Sequence, residues 1–175
     1  PWYVGDPPEG SEWAFSDPTS GEGYEGALVQ ALAEVLGFTP EQVAWQFTPF
    51  GLSYAPGDKD FDVYVTQVSY KPERAEGVDF SDSYYDVNQA VVTLADSNIA
   101  GATTITELKD AQLGAQVGTT SYDAIIDVIQ PNRETLVYDD NDKALNALKV
   151  GQIDGIVVDM PTSFFMMDVQ IPEAG

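Results

Sequence analysis

The chain has 175 residues, 43% of them hydrophobic and 11% aromatic, enough to pack a core and too apolar for wholesale disorder. It carries 29 Asp and Glu against 7 Lys and Arg, a formal charge of −22, which repels nucleic acid and anionic membrane surfaces alike. It has no Cys and no His, which excludes thiolate zinc sites, thiol nucleophiles, Ser-His-Asp triads and histidine general bases.

Residues 2–5 read as a short strand and residues 6–11, with two Pro and a Gly, as a loop. The stretch Trp13-Ala-Phe15 leads into a second turn over residues 17–23. From Tyr24 to Leu36 apolar residues recur at helical spacing (Ala27, Leu28, Ala31, Leu32, Val35), and Gly37 is placed to close that helix. Residues 43–47 and 61–65 alternate as strands, separated by a looser stretch with Phe50, Leu52 and Pro56-Gly57.

The segment Val68-Ser-Tyr-Lys-Pro-Glu-Arg74 follows directly. Pro72 suits a first helical position, so Arg74 falls just inside a helix start. Scarce cationic donors at a helix N-terminus make a receptor for a carboxylate; a surface Arg paired with Glu73 or Glu76 explains the same pattern.

Beyond it, residues 87–94 form a β-type run, residues 96–104 are small and polar, and Thr106 is placed to cap a helical turn through Asp110. Residues 113–117 read as a strand, Gly118-Thr119-Thr120-Ser121 as a turn, and residues 122–129 as a helix. Residues 136–138 are a strand, Asn141 or Asp142 caps a helix through Lys149, residues 153–158 are a buried-type strand ending at Asp159, and a helix runs from Pro161 to about Met167. The run Asp139-Asp-Asn-Asp142 lacks the spacing and closing Glu of an EF-hand loop and reads better as a capping loop. Strand and helix alternate in both halves, which predicts an α/β fold with parallel sheets and ligand sites at the carboxyl ends of strands. Asp159 either caps the Pro161 helix or pairs with a ligand cation. Thr119 and Thr120 serve a turn or a ligand, and Trp13 and Phe50 a core or a ligand.

Six stretches carry a resemblance: Gly23-Tyr-Glu-Gly-Ala-Leu28, Phe61-Asp-Val63, Pro72-Glu-Arg-Ala75, Val78-Asp-Phe-Ser-Asp-Ser-Tyr-Tyr85, Val117-Gly-Thr-Thr-Ser121, and Asp154-Gly155 through Val157-Val-Asp-Met-Pro161. In this order and spacing the chain resembles the amino-acid-binding family (family 3) of extracellular solute-binding proteins of ABC transporters. The resemblance implies a two-lobed type II periplasmic-binding fold with mixed, mainly parallel sheets and a cleft between lobes, residues 1–92 and 93–175. Closure would trap the ligand, with the hinge in residues 87–94. It implies that Arg74 grips the ligand carboxylate with Ser69 beside it and Gln67 lining the site. Thr119 and Thr120 would close on that carboxylate, and Asp159 would hold the ammonium. Trp13 and Phe50 would flank the ligand, and Asp6 would stand at the end of the first strand.

The resemblance also implies an amino acid ligand, an ABC permease partner, an extracytoplasmic location, no cofactor, and no catalysis. A same-fold enzyme such as a dehydratase and a surface or assembly component are the rival readings. Lys71 adds a second positive charge near Arg74 or points to solvent. The N-terminal residues lack the basic and apolar regions of a signal peptide. The family continues past a position like Ile171-Pro172, so the first lobe is expected to lack its C-terminal elements.

Overall fold

The computed structural model describes residues 2–13 and 16–171. The expected features at Ala14, Phe15 and Pro172 lie outside them. The chain forms two compact units, Pro1–Asp82 and Ser83–Gly175.

In the first unit, helix α1 spans Tyr24–Val35. Its start is set by backbone contact: the Trp2 carbonyl accepts from the N–H groups of Glu25 (2.9 Å) and Gly26 (3.3 Å). Gly23 precedes the helix at φ +86°, and a Cβ there would lie 2.6 Å from the Trp2 carbonyl oxygen, so a side chain is excluded on both counts. At the other end Phe38 N–H bonds Ala33 O (2.9 Å) and Gly37 N–H bonds Glu34 O (3.0 Å), the paired closure expected around Gly37. The helix buries Glu25, Gly26 and Ala33, whereas Leu32 and Val35 of the anticipated apolar stripe are exposed. A one-turn helix α2 follows at Phe50–Ser53.

The strands expected at residues 2–5, 43–47 and 61–65 form no ladder among the described residues. The backbone of the first is engaged elsewhere: Val4 N–H bonds Glu22 O and Gly5 O accepts from Asp17 N–H, so its partners are the following turn rather than a neighbouring strand.

The second unit is built on a four-stranded sheet. Its strands are β1 (Gln89–Val92), β2 (Leu113–Gln116), β3 (Leu136–Tyr138) and β4 (Gly155–Asp159), in the order β1-β4-β2-β3. β4, β2 and β3 are parallel and β1 is an antiparallel edge, with Gln89 opposite Asp159 and Val92 opposite Ile156. Helices α3 (Thr120–Asp123), α4 (Asn141–Lys149) and α5 (Met160–Phe165) connect or follow the strands. A π-helical turn, Ala124–Ile129, extends α3, and another, Met166–Gln170, extends α5.

Both faces of this sheet are covered. Ile156 and Val158 pack with Ala144, Leu145 and Leu148 of α4 on one face. Val157, Leu113 and Ala115 pack with Ile125 and Ile129 on the other. That is why β4 reads as an unbroken apolar run: consecutive residues are buried on opposite faces. Caps fall earlier than the sequence suggests. Asp140, extended at φ −148°, ψ 166°, caps α4 by accepting from Lys143 N–H, in place of Asn141 or Asp142, which are already helical. Thr104, not Thr106, starts the 3-10 turn Ile105–Leu108, with Glu107 folding back onto its N–H and hydroxyl.

Candidate functional site

Arg74 sits in a single helical turn rather than at a helix start. Arg74 and Ala75 N–H groups bond Lys71 O at 3.0 Å, and Gly77 N–H closes the turn on Arg74 O at 3.0 Å. Gly77 lies against the backbone of Tyr54, where a Cβ would approach Tyr54 O to 2.5 Å. The turn therefore docks on the end of α2, and this docking brings Arg74 to Phe50 of that helix and to Tyr54 just after it.

Arg74 is 3% exposed, which removes the surface-ion-pair reading. Lys71, not Arg74, pairs with Glu73, at 3.6 Å. The guanidinium lies 4.7 Å from the Tyr54 ring centroid and 5.4 Å from that of Phe50. Its Nη1 donates to Ser69 O at 2.7 Å. Phe50 and Tyr54 meet edge to face at 5.6 Å. Phe50, Ser69 and Arg74 are thus brought together, with Phe50 serving the guanidinium directly.

Gln67 adopts φ +50°, an uncommon conformation for a residue with a Cβ. Its N–H donates to the carboxylate of the fully buried Glu25 at 2.7 Å, and its side-chain amide reaches the same carboxylate at 3.4 Å. Tyr3 donates its hydroxyl to the carbonyl of Val65, two residues before Gln67; burial, with Glu25 adding to it, pushes that phenol well above its usual range. The supporting roles of Tyr54, Glu25 and Tyr3 were not legible, because 20 to 62 residues of chain separate them from the segments they contact. Asp6 is exposed and Trp13 half-buried, and neither forms a hydrogen bond, ion pair or ring contact with Arg74 among the described residues.

In the second unit, Thr119 follows β2 and caps α3: its hydroxyl donates to Gln116 O (2.7 Å) and accepts from Tyr122 N–H (3.2 Å). Thr120 is the first residue of α3. Asp159 ends β4, the parallel neighbour of β2, so both groups lie at the carboxyl edge of one sheet. Alternation along β4 points Asp159 to the same face as Val157, the face on which Ile125 and Ile129 pack. The helix begun at Thr119 and the Asp159 carboxylate therefore share a face and an edge.

Asp159 occupies the N-cap position of α5, but its side chain makes no capping bond. It accepts from Gln89 Nε2 at 2.6 Å. Among the described residues it has no ion pair. Burial raises the Asp159 carboxyl above its ordinary value, and the Gln89 hydrogen bond pulls it partly back. The acidic run near Asp140 behaves as a capping loop, with Lys143 pairing Asp139 at 2.6 Å and Asp140 at 3.5 Å. No cluster that could hold a metal ion occurs among the described residues.

The first unit thus holds a buried Arg, and the second holds an acid at a strand end with no ion pair among the described residues. The profile of the bacterial extracellular solute-binding proteins, family 3, matches residues 5–158, and the chain belongs to that family. It is 33% identical over 97 residues to the arginine-binding extracellular protein ArtP of Bacillus subtilis, covering 55% of this chain and 36% of that protein. It is 31% identical over 101 residues to the ABC transporter arginine-binding protein 1 of Escherichia coli, covering 58% and 40%. The chain thus matches less than half the length of either relative. A crystal structure of the substrate-binding protein of an amino acid ABC transporter superposes with a TM-score of 0.76 at 25% identity, covering 100% of this chain and 72% of that one. The fold is of the type II periplasmic-binding class, and the relatives matched bear the names of binding proteins rather than enzymes.

Proposed function

We propose that the protein binds a free amino acid outside the cytoplasm and delivers it to an ABC permease. One observation carries the reading: Asp159, half-buried at the carboxyl edge of its sheet, has a hydrogen-bond donor but no cation among the described residues. A desolvated carboxylate without a counter-ion is costly, and a ligand ammonium supplies what is missing.

In this reading Arg74 takes the ligand carboxylate at the other pole. Ser69 and Thr120 contribute donors, Gln67, held by Glu25, and Thr119, held by Gln116 O, line the site, Phe50 and Trp13 flank the ligand stem, and Asp6 stands at the rim. The names of the two curated relatives make L-arginine the first candidate, and the −22 charge favours attraction of a cationic ligand.

Isothermal titration calorimetry against L-arginine, L-lysine, L-histidine, L-glutamine and L-leucine tests the proposal. Saturable binding of at least one is expected, abolished by Asp159→Ala. Absence of binding across the panel, or an unaffected Asp159→Ala protein, would overturn it.

A further inference from the structure

Gln89 stands in β1 among apolar neighbours, Ala90, Val91 and Val92, and directly opposite Asp159 in the antiparallel ladder. Side chains paired in this way project from the same face. Its Nε2 donates to Asp159 Oδ1 at 2.6 Å, and its Oε1 is buried with no hydrogen-bond partner. The amide orientation is fixed by the carboxylate, since the reversed amide would set oxygen against oxygen.

A buried amide with one end unsatisfied is a poor element of packing. An apolar side chain like those beside it would fill the same space without stranding an acceptor. What the amide adds is a hold on Asp159. It occupies one carboxylate oxygen and leaves the other as acceptor. Among the described residues it is also the group that steadies this charge, since Asp159 has no cationic partner there. We propose that Gln89 is a positioning residue that orients the Asp159 carboxylate to receive the ligand ammonium. This rests on the role given to Asp159 above.

The test compares wild type with Gln89→Met, which keeps the length and removes the donor. Calorimetry uses L-arginine and des-amino arginine, which lacks the α-ammonium. The variant is expected to bind L-arginine about tenfold more weakly while its affinity for the des-amino compound is unchanged, as loss of a hydrogen bond to a charged group implies. A structural role would weaken both compounds equally, and that outcome, or no change in either, overturns the inference. A second readout needs no ligand. Carbon-detected NMR titration of the Asp159 carboxyl, assigned with Asp159→Asn, should show it displaced upward in Gln89→Met; an unmoved titration also overturns the inference. If wild type binds no amino acid of the panel, the functional reading itself fails and takes this one with it. Wild-type binding with an unchanged ratio between the two compounds fails this inference alone.

Discussion

Replacing Arg74 by Met removes the buried guanidinium while keeping an unbranched stem. The wild-type group donates to Ser69 O at 2.7 Å and lies 4.7 and 5.4 Å from the Tyr54 and Phe50 centroids. A hydrogen bond from a charged donor contributes about 1.5–3 kcal/mol. A cation–π contact adds about 0.5–1 kcal/mol, more where it is desolvated. Met avoids the cost of burying a charge and regains about 0.3–1.5 kcal/mol from sulfur–aromatic contact. The net loss is therefore about 2 kcal/mol, which for a unit of this size lowers Tm by roughly 10 °C. Near-ultraviolet circular dichroism during thermal unfolding follows the ring pair directly. Loss of a charge-assisted grip on the ligand carboxylate, worth about 3 kcal/mol, lowers ligand affinity by about 100-fold. Arg74→Lys should fall between, since a point charge replaces a planar fork that stacks on rings. A Tm within about 1 °C of wild type would refute the packing argument, given the energies above. A lowered Tm with undiminished affinity would refute the role in binding.

Other outcomes follow from the same geometry. Asp159 has its carboxyl raised by burial, so it costs the ligand-free fold stability above its folded pKa and returns it as pH falls through that value. Asp159→Asn should therefore stabilise the ligand-free protein at pH 7 by about 0.5–2 kcal/mol, flatten the weakly acidic part of its stability profile, and weaken ligand binding at least about tenfold; denaturant unfolding with calorimetry checks all three. Gly77→Ala places a Cβ 2.5 Å from Tyr54 O. It should cost about 1–3 kcal/mol in thermal unfolding, whereas Gly51→Ala, in α2 with open space around it, should be neutral or stabilising by up to about 1 kcal/mol. With a net charge of −22, Tm should rise between about 0.1 and 1 M KCl, as the screening length shrinks from about 10 to about 3 Å; a flat or falling Tm would show that self-repulsion is not limiting.

The second unit was the more legible of the two. β2, β3, β4 and α4 lie close to where apolar runs and turn signals put them, because a sheet covered on both faces demands continuous apolar strands. In the first unit α1 and its Gly37 closure were readable, since both are local. Alternation at residues 43–47 and 61–65 was not sufficient there: a ladder also needs a partner strand, which a local pattern cannot supply. The site divides in the same way. Arg74 and Asp159 stood out as ionisable groups at element ends. What holds them did not: Tyr54 lies 20 residues before Arg74, and Gln89 is joined to Asp159 only by the register of an antiparallel edge. That Asp159 makes no capping bond and accepts from Gln89 instead is something no sequence pattern records.

A crystal structure of the protein grown with the tightest-binding amino acid of the panel tests the central claim most directly. The account predicts the ligand carboxylate on the Arg74 guanidinium and the ammonium on the Asp159 oxygen that Gln89 leaves open. An amino acid bound in the reverse polarity, or away from both residues, would contradict it.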